Sequence, residues 1–202
     1  MRVLIDNGHG VDTKGKRSPN GMLKEWESSR QIAKMIFEQL TADGIECYLL
    51  VTEDIDVPLA ERVKRANKHY YEDNETILIS VHLNASGNGD EWKKPSGWQC
   101  IVTDRASKQS KQLADCIATE VEKYDIKLRK QYKDRNYWVD SKLAILKNTD
   151  CPAVLTENLF MDNIQDYHTL IHESGRKMIA DIHVASIKNY IKKLNENEQQ
   201  LQ

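Results

Sequence analysis

Residues 1–10 read MRVLIDNGHG, an apolar run that ends in a polar group containing His9. The same arrangement recurs twice, because residues 77–82 read ILISVH and residues 153–157 read AVLTE. Each segment predicts a short buried strand that ends in a potentially reactive side chain. The carboxyl ends of parallel strands are where ligand sites form in open α/β sheets. The three segments are therefore predicted to meet at one edge of a sheet.

Short apolar runs alternate with stretches of helical periodicity along the whole chain, which predicts a single α/β domain with a largely parallel sheet. At 202 residues, one hydrophobic core is sufficient. We expect a catalytic domain over residues 1–194 and a polar tail over residues 195–202. The apolar runs are residues 3–5, 45–51, 77–81, 98–102 and 153–155, and the helical patterns are residues 22–40, 59–69, 107–124, 141–147 and 166–194.

The composition narrows the classes of partner. A formal net charge of -2 at pH 7 gives no basic field that would hold nucleic acid. The opening apolar run is too short for a signal peptide, and no stretch approaches the roughly 18 apolar residues of a membrane span. We therefore expect synthesis in the cytoplasm and no membrane partner. The four cysteines include no CxxC pair, which predicts free thiols.

Two of the predicted strand ends carry His9 and His82, which suit a catalytic zinc site. Such a site takes three protein ligands and leaves a fourth position open, so an acidic third ligand is expected after His9. Glu25 and Glu27 both open the first helix, but they point in nearly opposite directions. Glu25 shares the face of Ile32, which is predicted to turn toward the sheet, and it is the better candidate.

Structural roles are the competing interpretation for each of these residues taken singly. A lone histidine at a strand end is more often a hydrogen-bonded structural residue. Glu157 alone could cap the turn that follows its strand, and only the convergence of several such groups favours a site. His168, His172 and His183 lie in the last helical pattern, where we interpret them as helix-surface residues.

The sequence resembles the N-acetylmuramoyl-L-alanine amidase family of zinc hydrolases, found in bacterial autolysins and phage endolysins. The resemblance rests on motifs in family order that extend over almost the whole chain. They are VLIDNGHG at residues 3–10, LKEWESSRQIA at 23–33, LAERVKRAN at 59–67, ILISVHLNAS at 77–86 and PAVLTENLFMDN at 152–163.

The resemblance implies that His9, Glu25 and His82 hold Zn²⁺ and that Glu157 is the catalytic glutamate. It also implies a twisted, mostly parallel sheet of about six strands with helices on both faces. The implied reaction is hydrolysis of the amide between N-acetylmuramic acid and L-alanine in peptidoglycan, by a monomer acting on the cell wall in the periplasm or outside the cell. One departure is Glu53, which stands where the family commonly has arginine.

Two other functions remain open from the sequence. A zinc peptidase that cuts within the stem peptide could use the same residues, since the same chemistry hydrolyses any amide. A wall-binding module without catalysis is the other alternative, and the presence of all four site residues speaks against it. The sequence is equally compatible with a phage lysis enzyme and with an exported host autolysin.

Overall fold

The computed structural model describes residues 1–200 of this chain and contains one six-stranded sheet. Its strands are β1 (Arg2–Asn7), β2 (Glu46–Leu49), β3 (Thr76–Asn84), β4 (Trp98–Val102), β5 (Trp138–Val139) and β6 (Ala153–Phe160). They lie in the order β2-β1-β3-β6-β4-β5, and every neighbouring pair is parallel except β4 and β6. The predicted, mostly parallel sheet is confirmed.

The described residues form six helices, of which four connect strands and two follow the last strand. The alternation of side chains along the strands determines which face each helix covers. The helices are α1 (Glu25–Ala42), α2 (Leu59–Glu72), α3 (Lys108–Val121), α4 (Ala144–Lys147), α5 (Ile164–Ile171) and α6 (Glu173–Gln200). Val3 and Ile5 pack in a cluster with buried residues of α1, α3 and α6. Leu4, between them, packs on the opposite face with Ala66 of α2 and Leu146 of α4. Helices on both faces are thus confirmed.

The stretch 166–194, predicted as one helix, is two helices. They are separated by His172, whose backbone is extended with φ -89° and ψ 140°. The first of them, α5, begins after Asn163, whose side chain accepts hydrogen bonds from two backbone N–H groups and so caps the helix. Residues 172–177 read HESGRK and contain no apolar side chain, so the break lies in a gap of the apolar pattern that the prediction of one helix passed over.

The C-terminal helix is longer than predicted. Residues 195–200, expected to be a polar tail, continue α6 as far as Gln200. The remaining part of that predicted tail, residues 201–202, lies outside the described residues. Strand β5 was missed, since two residues are too few to show an alternating pattern.

All four cysteines are buried and free, as predicted. Burial raises the pKa of the Cys47, Cys100 and Cys151 thiols to about 12, so they remain protonated at neutral pH. Within residues 1–200, none of the helices combines the length and the apolar character that crossing a bilayer demands.

Candidate metal centre

Three neighbouring parallel strands end at the same edge of the sheet. β3 lies between β1 and β6, with Asn7 paired to Val81 and His82 paired to Glu157. His9 follows β1 by two residues, so the three segments singled out in the sequence meet as predicted. The site residues therefore come from chain segments that are far apart in sequence but adjacent in the sheet.

His9, Glu25 and His82 form a compact group whose potential ligand atoms all lie within 4.8 Å of one another. Glu25 Oε1 lies 3.0 Å from His82 Nδ1 and accepts a hydrogen bond from the Leu83 backbone N–H at 3.2 Å. Glu25 Oε2 lies 3.3 Å from His9 Nε2. Two imidazoles and one carboxylate are a donor set that catalytic zinc uses.

The choice between the two glutamates at the start of α1 agrees with the predicted helix faces. Glu25 is buried and points to both histidines, whereas Glu27 is exposed. The Glu25 Oε2 atom is buried without a hydrogen-bond partner among the described residues. A buried carboxylate oxygen without a partner is costly unless a ligand or ion satisfies it, so these residues fit a metal ion.

The electrostatics of the group favour a cation. Burial disfavours the charged form of Glu25, but its hydrogen bond with His82 and the nearby imidazole of His9 outweigh burial and lower the pKa of Glu25 to about 2. Burial likewise opposes the charge of His82, and its pKa is nevertheless raised by the Glu25 carboxylate. An anionic carboxylate flanked by two imidazoles supplies the charge and the donor atoms that a divalent cation requires.

Glu157 lies beside this group and has no visible structural task. Its Oε2 atom is buried and has no hydrogen-bond partner among the described residues, so the turn-capping interpretation receives no support from that atom. Burial raises the pKa of Glu157 to about 7, although the charge of neighbouring His82 opposes the shift. A carboxyl group that titrates near neutral pH can both accept and return a proton.

The turn that carries His9 allows almost no additional atoms. A Cβ added to Gly8 would lie 2.3 Å from Cε1 of the His82 ring. A Cβ added to Gly10 would lie 2.0 Å from the backbone nitrogen of Asp56. The two glycines therefore let the turn pass between the His82 imidazole and the loop that follows β2.

Comparison with known proteins identifies the family. The sequence pattern of the N-acetylmuramoyl-L-alanine amidases matches residues 3–189. This chain belongs to that family. The endolysin of Bacillus phage SPP1 is 32% identical to this chain over 196 residues, which are 95% of this chain and 67% of the endolysin. CwlM of Bacillus licheniformis is 26% identical over 91% of this chain and 66% of its own length. The chain thus spans about two thirds of these relatives.

Solved structures agree with this assignment. The amidase is similar to the N-acetylmuramoyl-L-alanine amidase of Clostridium difficile 630, with a TM-score of 0.81 and 25% identity over 95% of this chain and 96% of that one. Ami1 of Mycobacterium smegmatis has the same fold, with a TM-score of 0.81 at 18% identity over 96% and 97% of the two chains. The candidate metal-binding group of His9, Glu25 and His82 therefore lies in a fold that this chain shares with these amidases.

The remaining histidines of the amidase lie elsewhere, and two expectations about them were wrong. His183 was expected on a helix surface but is fully buried, with Nε2 at 3.0 Å from Thr156 Oγ1 and Nδ1 at 2.8 Å from the Ile179 carbonyl oxygen. His168 and His172 are exposed as expected, but they do not share one helix. Both line a cleft of about 610 Å³ to which none of the four predicted site residues contributes.

The residue that departs from the family pattern forms local contacts of its own. Glu53 accepts hydrogen bonds from Arg65 at 2.6 and 3.0 Å, and this pairing lowers the pKa of Glu53 to about 2. The loop after β2 in the amidase is therefore attached to α2 by an ion pair that the sequence did not predict.

Two arginines near the candidate metal-binding group were not predicted from the sequence. Arg30 and Arg62 both donate hydrogen bonds to the His9 carbonyl oxygen. Arg62 is almost fully buried and stands four residues before the buried Ala66 on α2. A charged residue on the buried face of a helix is unusual, and this pattern could have drawn attention to it.

Proposed function

We propose that this chain hydrolyses the amide between the lactyl group of N-acetylmuramic acid and L-alanine in peptidoglycan, using a zinc ion held by His9, Glu25 and His82. The observation that carries the proposal is the convergence of these three side chains next to Glu157, in a chain of the amidase family. When bound, zinc would act as a Lewis acid toward the amide carbonyl and would activate water.

Glu157 is the proton carrier in this proposal. Its carboxylate takes a proton from the attacking water while the water oxygen bonds to the lactyl carbonyl carbon. As the carbon–nitrogen bond breaks, Glu157 returns that proton to the departing nitrogen of L-alanine. The products are the free lactyl carboxylate and a stem peptide with a new amino terminus. The raised pKa of Glu157, about 7, supports both the uptake and the return of the proton near neutral pH.

Glu25 and the backbone around it would fix the ligand geometry. The hydrogen bond from the Leu83 backbone N–H and the burial of Glu25 hold the Glu25 carboxylate in one orientation between the two imidazoles. Preorganised ligands lose little conformational entropy on binding an ion, which favours tight binding.

The proposed setting is the bacterial cell wall, in the periplasm or outside the cell. Similarity to a phage endolysin supports a role in lysis. We also propose that the catalytic domain comprises residues 1–194 and that residues 195–200 of α6 extend from it. We further propose that the protein acts as a monomer. These parts of the proposal do not alter the chemistry of the site.

The Glu157→Gln variant tests the proposal. Glutamine retains the size of the side chain but cannot accept the proton, so we expect the hydrolysis rate to fall by roughly 10² or more. Zinc content and melting temperature should stay near the wild-type values, because Glu157 Oε2 makes no hydrogen bond within residues 1–200. Glu27→Gln is the matched control, since Glu27 is an exposed glutamate two residues after Glu25 and should tolerate the change.

Mass analysis of digested peptidoglycan determines which bond is cut. Stem peptides with a free amino-terminal L-alanine support the amidase, whereas shortened stems would identify a peptidase that cuts within the stem. Binding to the wall without any cleavage would identify a binding module. A Glu157→Gln variant that cleaves at the wild-type rate would remove Glu157 from the mechanism.

A further inference from the structure

The backbone carbonyl of His9 receives hydrogen bonds from opposite sides of the sheet. Arg30 of α1 donates from Nη1 at 2.9 Å, and Arg62 of α2 donates from Nη2 at 3.4 Å. Arg62 also donates from Nη1 to the Asn7 carbonyl oxygen. The two guanidinium groups therefore hold the turn at the end of β1, which carries His9.

This turn needs external support. His9 has φ 62°, a left-handed conformation that is unfavourable for residues with a side chain. Such a conformation costs of order 1–3 kcal/mol and persists only where surrounding contacts enforce it. The Gly8 carbonyl oxygen accepts a hydrogen bond from Ser29 Oγ at 3.3 Å, so side chains of both helices bind consecutive carbonyls of the turn.

Arg62 is itself held firmly. Its guanidinium donates to Asp6 Oδ1 at 2.8 Å, to Asp56 Oδ1 at 3.1 Å and to the Val57 carbonyl oxygen at 2.7 Å. The side chain is 3% exposed, and the Asp6 side chain is 2% exposed. A buried guanidinium that is held by several hydrogen bonds has little freedom to move, so it can keep the turn in one position.

Arg30 reaches the same carbonyl with a different set of contacts. It donates from Nη2 to the Glu53 carbonyl oxygen at 2.7 Å, and its guanidinium carbon lies 5.5 Å from the centre of the Trp26 ring. Among the described residues Arg30 forms no hydrogen bond to a carboxylate, and its side chain is only partly buried. Its removal therefore leaves no buried carboxylate without its cation.

We propose that Arg30 and Arg62 are positioning residues, which hold His9 in its left-handed conformation so that its imidazole faces Glu25. This inference rests on the proposed metal centre. A ligand displaced by a fraction of an ångström binds an ion less well, and residues that orient ligands typically contribute about 10–100-fold to metal affinity. Neither arginine is a ligand, so their effect passes through the backbone of His9.

Two substitutions separate positioning from general stability. Arg30→Gln removes the donors to His9 and Glu53, whereas Arg62→Lys keeps a positive charge beside Asp6 but lacks the fork that spans the carbonyls of Asn7 and His9. The measurements are the Zn²⁺ dissociation constant of the metal-stripped protein, from competition with a coloured chelator, and its melting temperature without metal.

Arg65→Gln is the matched control. Arg65 lies on α2, one turn after Arg62, and it binds the Glu53 carboxylate and the Leu50 carbonyl oxygen without any contact to His9. The Arg65→Gln variant therefore loses arginine hydrogen bonds in the same region, while the turn that carries His9 keeps its hydrogen bonds to Arg30 and Arg62. Any general softening of this region should appear equally in the control.

We expect Arg30→Gln and Arg62→Lys each to weaken Zn²⁺ binding by about 10–100-fold, and Arg65→Gln to leave it nearly unchanged. If Arg62→Lys does not fold, Arg30→Gln alone decides. Wild-type affinity in a folded Arg30→Gln variant, or an equal loss in Arg65→Gln, would overturn the positioning role. A wild-type protein without Zn²⁺ affinity would overturn the metal centre itself, and this inference with it.

Discussion

His183 makes the stability of this protein dependent on pH. Its ring is buried against Trp98 and hydrogen-bonded at both nitrogens, to Thr156 and to Ile179. Because Nδ1 faces a carbonyl oxygen, it carries the proton, and Nε2 accepts from the Thr156 hydroxyl group. Protonating Nε2 would break that arrangement and place a positive charge in a buried site.

The size of the effect follows from the pKa of His183. Burial lowers it from 6.5 to about 4, so below pH 6.5 the unfolded chain binds a proton that the folded protein does not. At roughly 1.4 kcal/mol per pH unit, this difference corresponds to about 3 kcal/mol. That stability is present above pH 6.5 and is lost as the pH falls to about 4. Roughly 2 kcal/mol is lost between about pH 7 and about pH 5.

The assay compares the wild type with His183→Gln, whose side chain can still reach Thr156 but does not titrate. Urea unfolding of both metal-stripped proteins gives the free energy of unfolding at each pH. Other titrating groups are common to both proteins and cancel in the difference. We expect the free energy of unfolding of the wild type, relative to that of His183→Gln, to fall by about 2 kcal/mol between about pH 7 and about pH 5. Parallel pH profiles would refute the assigned burial and hydrogen bonding of His183.

Three further substitutions address the proposed metal centre directly. His9→Ala and His82→Ala each leave two protein ligands, so the expected content of about one zinc per chain and the activity should both be lost, as elemental analysis and a peptidoglycan digest would reveal. Retention of near-native zinc affinity would show that the ligand was misassigned. Gly8→Ala forces a methyl group into the His82 ring, which should destabilise the protein by about 1–3 kcal/mol and weaken zinc binding. Unchanged unfolding and zinc affinity would contradict this close approach.

Local patterns in the sequence predicted the parts of the site that depend on one element at a time. The apolar run before His82 indicated the carboxyl end of a strand; β3 continues two residues further to Asn84, but its carboxyl-end half still converges with the neighbouring parallel strands. The choice of Glu25 over Glu27 needed only the angle between successive residues of a helix. These inferences succeed because backbone periodicity alone determines the direction of the side chain.

Contacts between elements were harder to predict. His183 was assigned to a helix surface, although Ile179 and Ile187 stand four residues before and after it on the buried face of α6. The spacing of these isoleucines indicates the buried face for His183, but a histidine is usually predicted to be exposed to water unless a partner such as Thr156 is known. That partner lies 27 residues away in the chain, and only the packing of α6 on β6 brings it near.

The arginines near His9 show why the geometry of such a site depends on the whole fold. The carbonyls of the turn have left the sheet, so each needs a donor from another element. One donor comes from α1 on one face of the sheet and the other from α2 on the opposite face. His9, the proposed ligand, therefore reaches its position only when both helical layers are packed. If metal binds this arrangement alone, its binding free energy adds to the stability of the packed fold, and loosening either layer weakens the site.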